Sequence, residues 1–225
     1  MRIGLGRHFI NTSLGKYSDE GSELAFVPIH KNAHTWGVDF FSINYGFKRI
    51  QDLTIDRQKD LRYIVFLRDP IERWYSGATQ YLIDNFYSDV PDDSDMILNK
   101  DMIKLMYSAV RLDAHTDLQR GYIMDLNIMD IYFFNIDESM FYFRFTRWLN
   151  NSGKNFKLKK LEPYDKHLGA ERINQSTDSK LKLSLIKQLR QASADNPQYL
   201  TNLRNFYRPD YDLLHWMYQF NYTKP

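Results

Sequence analysis

Three runs along the chain hold hydrophobic side chains without polar alternation: ELAFVPI at 23–29, YIVFLRDP at 63–70 and DIYFFNI at 130–136. Apolar runs of this length, bounded by polar turns, predict strands buried on both faces, as in a parallel sheet covered by helices. A weaker run, FKLKKLEP at 156–163, reads as a further strand. Between the runs the period becomes helical. After the second strand, Ile71, Trp74, Tyr75, Ala78, Tyr81 and Leu82 share one helical face. The start of that helix is marked by Asp69 as N-cap, Pro70 at the first helical position and Glu72 placed for a capping box.

Helices are also predicted over MILNKDMIKLMYSAV, over SMFYFRFTRWLN, from Ser176 to Gln191, and over RPDYDLLHWMYQF, which Pro209 opens. VPDDSD at 90–95 reads as a mobile polar turn, and residues 1–22, with four glycines, as a loose leader. The alternation predicts an α/β fold over residues 1–225 as one domain: a central parallel sheet flanked by helices, with ligands at the carboxyl ends of the strands.

Composition narrows the function. At 225 residues the chain can bury a core without disulfides or metal. Its 30 basic and 28 acidic residues nearly balance, which argues against a general nucleic-acid or membrane-surface binder and makes any anion site local. Cysteine is absent, which excludes disulfides, thiolate catalysis and cysteine-ligated zinc. With no signal-peptide core and no apolar run of roughly 18 residues, the expectation is a soluble, cytoplasmic chain without a membrane span.

Two loops at predicted strand ends carry chemistry. In FVPIHKNAHTW (26–36) the turn over Lys31, Asn32, Ala33 and His34 leads into a helix whose N–H groups and dipole favour an anion. Lys31 adds a full charge, Thr35 a hydroxyl donor and Trp36 an apolar wall. The glycines and Lys-Ser/Thr order of a nucleotide-kinase P-loop are missing. In FLRDPIERWYSG, Arg68 at the strand end and Ser76 along the helix are placed to grip a phosphate, while Glu72 and Arg73 read as an exposed or ion-paired helix face.

PIHKNAHTW resembles the 5′-phosphosulfate loop of sulfotransferases, and RDPIERWYS resembles their 3′-phosphate motif, R-D-P-x-x-R-x-x-S. DAHTDLQRGYI is similar to the D-x-H-x-x-x-Q segment of carbohydrate-type members, and FYRPDYDLL to their closing Y-x-x-D-Y element. His34 departs from the glycine or serine common at its position, and the proline often found before the glutamine is missing.

The resemblance implies a P-loop-related fold and 3′-phosphoadenosine 5′-phosphosulfate as donor, with no metal. A sulfuryl group would pass to a hydroxyl or amine of a saccharide or small metabolite. It also implies that Asn174 and Ser176, in RINQSTDS, close over the nucleotide. In-line transfer needs fixed positive charge and a proton acceptor. Lys31 is the expected electrophile, with His115 and then His34 as expected bases. His30 reads as shaping the turn, His167 as part of a covering loop, and Asp52 or Asp84 as alternative bases. Tyr81, Phe86 and Tyr87 are placed to stack on a sugar. Two other readings remain: a P-loop kinase, which requires magnesium, and a relative that binds nucleotide or sulfated glycan without turnover.

Overall fold

A computed structural model describes residues 15–50, 60–161 and 179–220. Asn174, Ser176, His167 and Asp52 therefore lie outside the described residues. The fold is α/β. Among the described residues there are five strands, β1 (Lys16–Ser18), β2 (Leu24–Val27), β3 (Lys48–Ile50), β4 (Arg62–Leu67) and β5 (Ile131–Asn135). The helices are α1 (His34–Tyr45), α2 (Pro70–Phe86), α3 (Lys100–Ala109), α4 (Phe141–Ser152), α5 (Lys180–Asp195), α6 (Pro197–Phe206) and α7 (Arg208–Phe220).

The sheet order is β3-β1-β2-β4-β5. The three apolar runs form β2, β4 and β5, which pair in parallel, with Val27 opposite Val65 and Leu67 opposite Asn135. The expectation of a parallel sheet holds for these strands only. β1 runs antiparallel to both β2 and β3, so the sheet is mixed. Residues 16–18, read as leader, are thus part of the sheet.

Alternate residues of the parallel strands face opposite layers. Ala25, Val27, Val65, Leu67 and Phe133 pack against Leu213, Leu214 and Met217 of α7. On the other face Leu24, Phe26, Ile64 and Phe66 meet Trp36, Phe40 and Phe41 of α1 and Phe141, Phe145 and Leu149 of α4. A third cluster joins α2 to α3, α5 and α6 through Trp74, Leu82, Tyr107, Leu185 and Leu203. Among the described residues no helix is long and apolar enough to cross a membrane.

Other boundaries moved for local reasons. No strand forms at 156–161: Phe156 ends a 3₁₀ turn and Lys157 takes a left-handed φ of 57°, which breaks the extended path. α3 starts at Lys100 because the Asn99 side chain caps it, while the chain before it is held by Gln188, which bonds Leu98 N–H and the Met96 carbonyl. The turn expected to be mobile is tied to the start of α5, where Leu181 N–H donates to the Asp92 carbonyl at 2.8 Å.

Candidate functional site

The chain leaves β2 at Val27 and turns into α1 through Pro28–Ala33. Asn32 N–H closes the turn on the Ile29 carbonyl at 3.1 Å. The turn is tight without glycine because Lys31 and Ala33 themselves take left-handed conformations, at φ 65° and 53°, each costing on the order of 1–2 kcal/mol in an L-residue. Ala33 is the N-cap of α1 and offers no side chain to its first-turn N–H groups, and that turn holds no acidic residue. The helix therefore presents an uncapped positive end.

Lys31 Nζ donates to Gln80 Oε1 of α2 at 3.0 Å. Burial, followed by the charge of Lys182, pulls its pKa down to about 8. Thr35 stands exposed in the first turn of α1, and His34 is half-buried. Trp36 does not wall the loop. It is stacked on Phe40 and packed among Phe66, Phe141 and Phe145, because the 3.6-residue period carries it to the face that covers the sheet. Asn32 is fully buried, and its Nδ2 donates to the Phe66 carbonyl at 2.8 Å, so it braces the loop rather than reaching outward.

Arg68 follows β4 on the neighbouring parallel strand. Its Nε pairs with Asp137 at 3.2 Å, and the other oxygen of Asp137, just beyond β5, accepts Asp69 N–H at 2.7 Å. Asp69 caps α2 as predicted, accepting the N–H groups of Ile71 and Glu72. No capping box closes on Asp69: its N–H goes to Asp137, and Glu72 pairs with Arg190 of α5. Ser76 is buried on α2.

Arg73 corrects the expectation of an exposed helix face. It is fully buried, with Nε donating to the His30 carbonyl at 2.9 Å and Nη1 to the Asp117 carbonyl. Its guanidinium thus fixes the back of the Lys31 turn to the segment after His115.

Gln119, at the end of the D-x-H-x-x-x-Q segment, joins the two loops. Fully buried, it donates from Nε2 to the Arg68 carbonyl at 2.9 Å, and its Oε1 accepts Arg68 N–H at 3.0 Å and Asn32 Nδ2. The Gln119 and Arg120 N–H groups in turn donate to the buried Asp210 carboxylate at 2.8 and 2.9 Å. Asp210 belongs to the Y-x-x-D-Y element, whose Tyr207 hydroxyl donates to the Thr116 carbonyl and whose Tyr211 hydroxyl reaches Asp69. Four segments distant in sequence are therefore one hydrogen-bonded assembly at the carboxyl edge of the parallel strands.

Three histidines gather there. The His30 ring lies 4.6 Å from that of His115 and 5.4 Å from that of His34. Burial first, then the other histidines, Arg73 and Lys31, lower His30 to about 4, so it is neutral near pH 7. His34 is lowered mainly by burial. His115 Nδ1 lies 2.9 Å from Asp113 Oδ2. Burial pushes the Asp113 carboxyl up, but hydrogen bonds from the His115 ring and from backbone N–H groups outweigh it and hold it below the usual carboxylate value. An ionised Asp113 holds a proton on His115 Nδ1, which leaves Nε2 as the ring nitrogen not engaged by that carboxylate. Gly77 lets α2 approach this turn: a Cβ there would collide with the His115 carbonyl oxygen.

The structure thus brings Lys31, His34, Thr35, Arg68 and His115 to one edge of the sheet and assigns Trp36 and Asn32 to support. Sequence reading passed over Lys182 and the brace made by Arg73. Lys182 carries no local signal, since it stands in an ordinary amphipathic helix, KLKLSLIKQL. Compared with protein-family models, curated proteins and solved structures, the chain matches none.

Proposed function

We propose that the protein is a sulfotransferase with a P-loop-related fold that uses 3′-phosphoadenosine 5′-phosphosulfate and transfers its sulfuryl group to a hydroxyl or amine of a saccharide or small metabolite. The observation that carries this reading is the Asn32–Gln119–Arg68 link, which locks the Lys31 and Arg68 loops side by side. One nucleotide with phosphates at both its 3′ and 5′ positions is the ligand that two such cationic loops suit. The residues offer it two cationic anchors: α1 has uncapped N–H groups beside Lys31, and Arg68 stands at the end of β4, where a 3′-phosphate would share its guanidinium with Asp137.

In this reading Lys31 and the first turn of α1 hold the 5′ end, and Arg68 with Ser76 holds the 3′-phosphate. His115 Nε2 takes the proton of the acceptor hydroxyl as that oxygen bonds to sulfur. Lys31 neutralises the phosphate oxygen released when the other sulfur–oxygen bond breaks. With a pKa of about 8, Lys31 remains mostly protonated at pH 7.

Calorimetric titration with adenosine 3′,5′-bisphosphate, against ATP with magnesium, tests the reading. The bisphosphate is expected to bind preferentially and Arg68→Ala to weaken it. Lys31→Ala is expected to lower turnover by about 10²–10³-fold or more with the fold kept. Preference for ATP with magnesium would instead support the kinase reading.

A further inference from the structure

Lys182 occupies the first turn of α5, where Ser179 Oγ accepts its N–H. Only 6% of the residue is exposed. Buried lysines are normally paired, and a cation in a helix's first turn also faces an unfavourable dipole. Yet among the described residues no carboxylate comes within 4.0 Å of its ammonium. Lys31 is in the same position: its partner is the neutral Gln80, whose Nε2 engages Asp84 at 2.7 Å.

α5 runs antiparallel along α2: Arg190 pairs with Glu72 at one end, and Ser179 and Leu181 bond to Asp92, just past α2, at the other. This sets Lys182 along the stretch of α2 whose Gln80 holds Lys31. Consistent with that placement, Lys182 depresses Lys31 more than any other charge does. Burial also lowers Lys182, with Asp84 and Asp92 opposing. The backbone cannot relieve this by swinging α5 away. Leu181 and Leu185 pack with Trp74, Ala78 and Leu82 of α2, and Ser179 Oγ donates to Asp92 Oδ1 at 2.9 Å. Two adjacent, largely desolvated cations with no ion-paired carboxylate among the described residues are costly unless a shared anion offsets both.

We propose that Lys31 and Lys182 form a seat for one tetrahedral oxyanion, with Lys182 as a second cation that clasps it from α5. The identification of this oxyanion as the sulfuryl end of the donor rests on the sulfotransferase reading; the seat itself does not. It makes Lys182 a ligand-binding residue that closes the site from α5, in the cluster that joins α5 to α2.

The test is NMR of the full chain with ¹³C-labelled lysine, titrated with sodium sulfate, with sodium phosphate in a parallel arm, and with sodium chloride at matched ionic strength. Sulfate is expected to move the Lys31 and Lys182 side-chain signals with one dissociation constant and to raise the midpoint of Lys31 from about 8. Chloride should do neither, and the phosphate arm ranks the two oxyanions. Lys182→Gln should raise the Lys31 midpoint without added anion and weaken sulfate by about tenfold, whereas Lys182→Arg retains binding. Unmoved lysine signals in the wild-type chain, or wild-type sulfate affinity in Lys182→Gln, would overturn the seat. If sulfate binds but adenosine 3′,5′-bisphosphate does not, the seat stands and the sulfotransferase reading fails. If the nucleotide binds and sulfate moves neither lysine, the reverse holds.

Discussion

Gln119→Leu removes the brace between the two loops while nearly preserving volume. Asn32 Nδ2 keeps the Phe66 carbonyl, but Arg68 loses partners for both its backbone N–H and its carbonyl. An orphaned buried polar group costs about 1–3 kcal/mol, so two cost about 2–6 kcal/mol. Arg68 is only half-buried, and water reaching its backbone reduces the loss to roughly 2–4 kcal/mol. In urea unfolding with a slope of about 2–3 kcal/mol/M, the midpoint should fall by about 0.7–2 M. Affinity for adenosine 3′,5′-bisphosphate should fall with it. A double-mutant cycle with Asn32→Ala should show coupling, because the two amides share a bond. A loss below about 0.5 kcal/mol, the level of an ordinary surface change, together with unchanged nucleotide affinity, would refute the idea that Gln119 holds the loops in place.

Further outcomes follow from the same geometry. Gly77→Ala should destabilise the chain by about 1–3 kcal/mol and displace the His115 turn, read as a change in the His115 ring signal, since the added methyl meets backbone rather than a movable side chain. His30 is held at about 4 against an ordinary 6.5, so the unfolded chain binds more protons between these values. Stability should therefore rise with pH through that window, and His30→Asn should flatten the acid limb in a pH series of urea midpoints. Lys31, lowered from 10.5 to about 8, gives the same sign at the alkaline end. Stability should rise between those values, and Lys31→Met should abolish the rise.

The parallel strands were legible because each is apolar on both faces, as a strand between two helical layers must be. β1 and β3, reading KYS and KRI, are too short and polar to announce themselves and form only as partners of β2 and of each other. The start of α2 was legible because a cap and a proline act locally. The inward turn of Arg73 was not: a charged residue beside Glu72 looks solvated until the His30 and Asp117 carbonyls, from distant segments, are brought to it. Lys31 and Arg68 stood out by their strand-end positions. The glutamine that joins them showed only as a spacing, because its partners come from loops 51 and 87 residues away. Lys182 became visible only once α5 was laid against α2.

The most direct measurement is a crystal structure of the protein with adenosine 3′,5′-bisphosphate. The account predicts a single nucleotide spanning the two loops, its 5′-phosphate on the first turn of α1 beside Lys31 and its 3′-phosphate on Arg68. A nucleotide bound elsewhere, or held by one loop with the other facing away from it, would contradict the account.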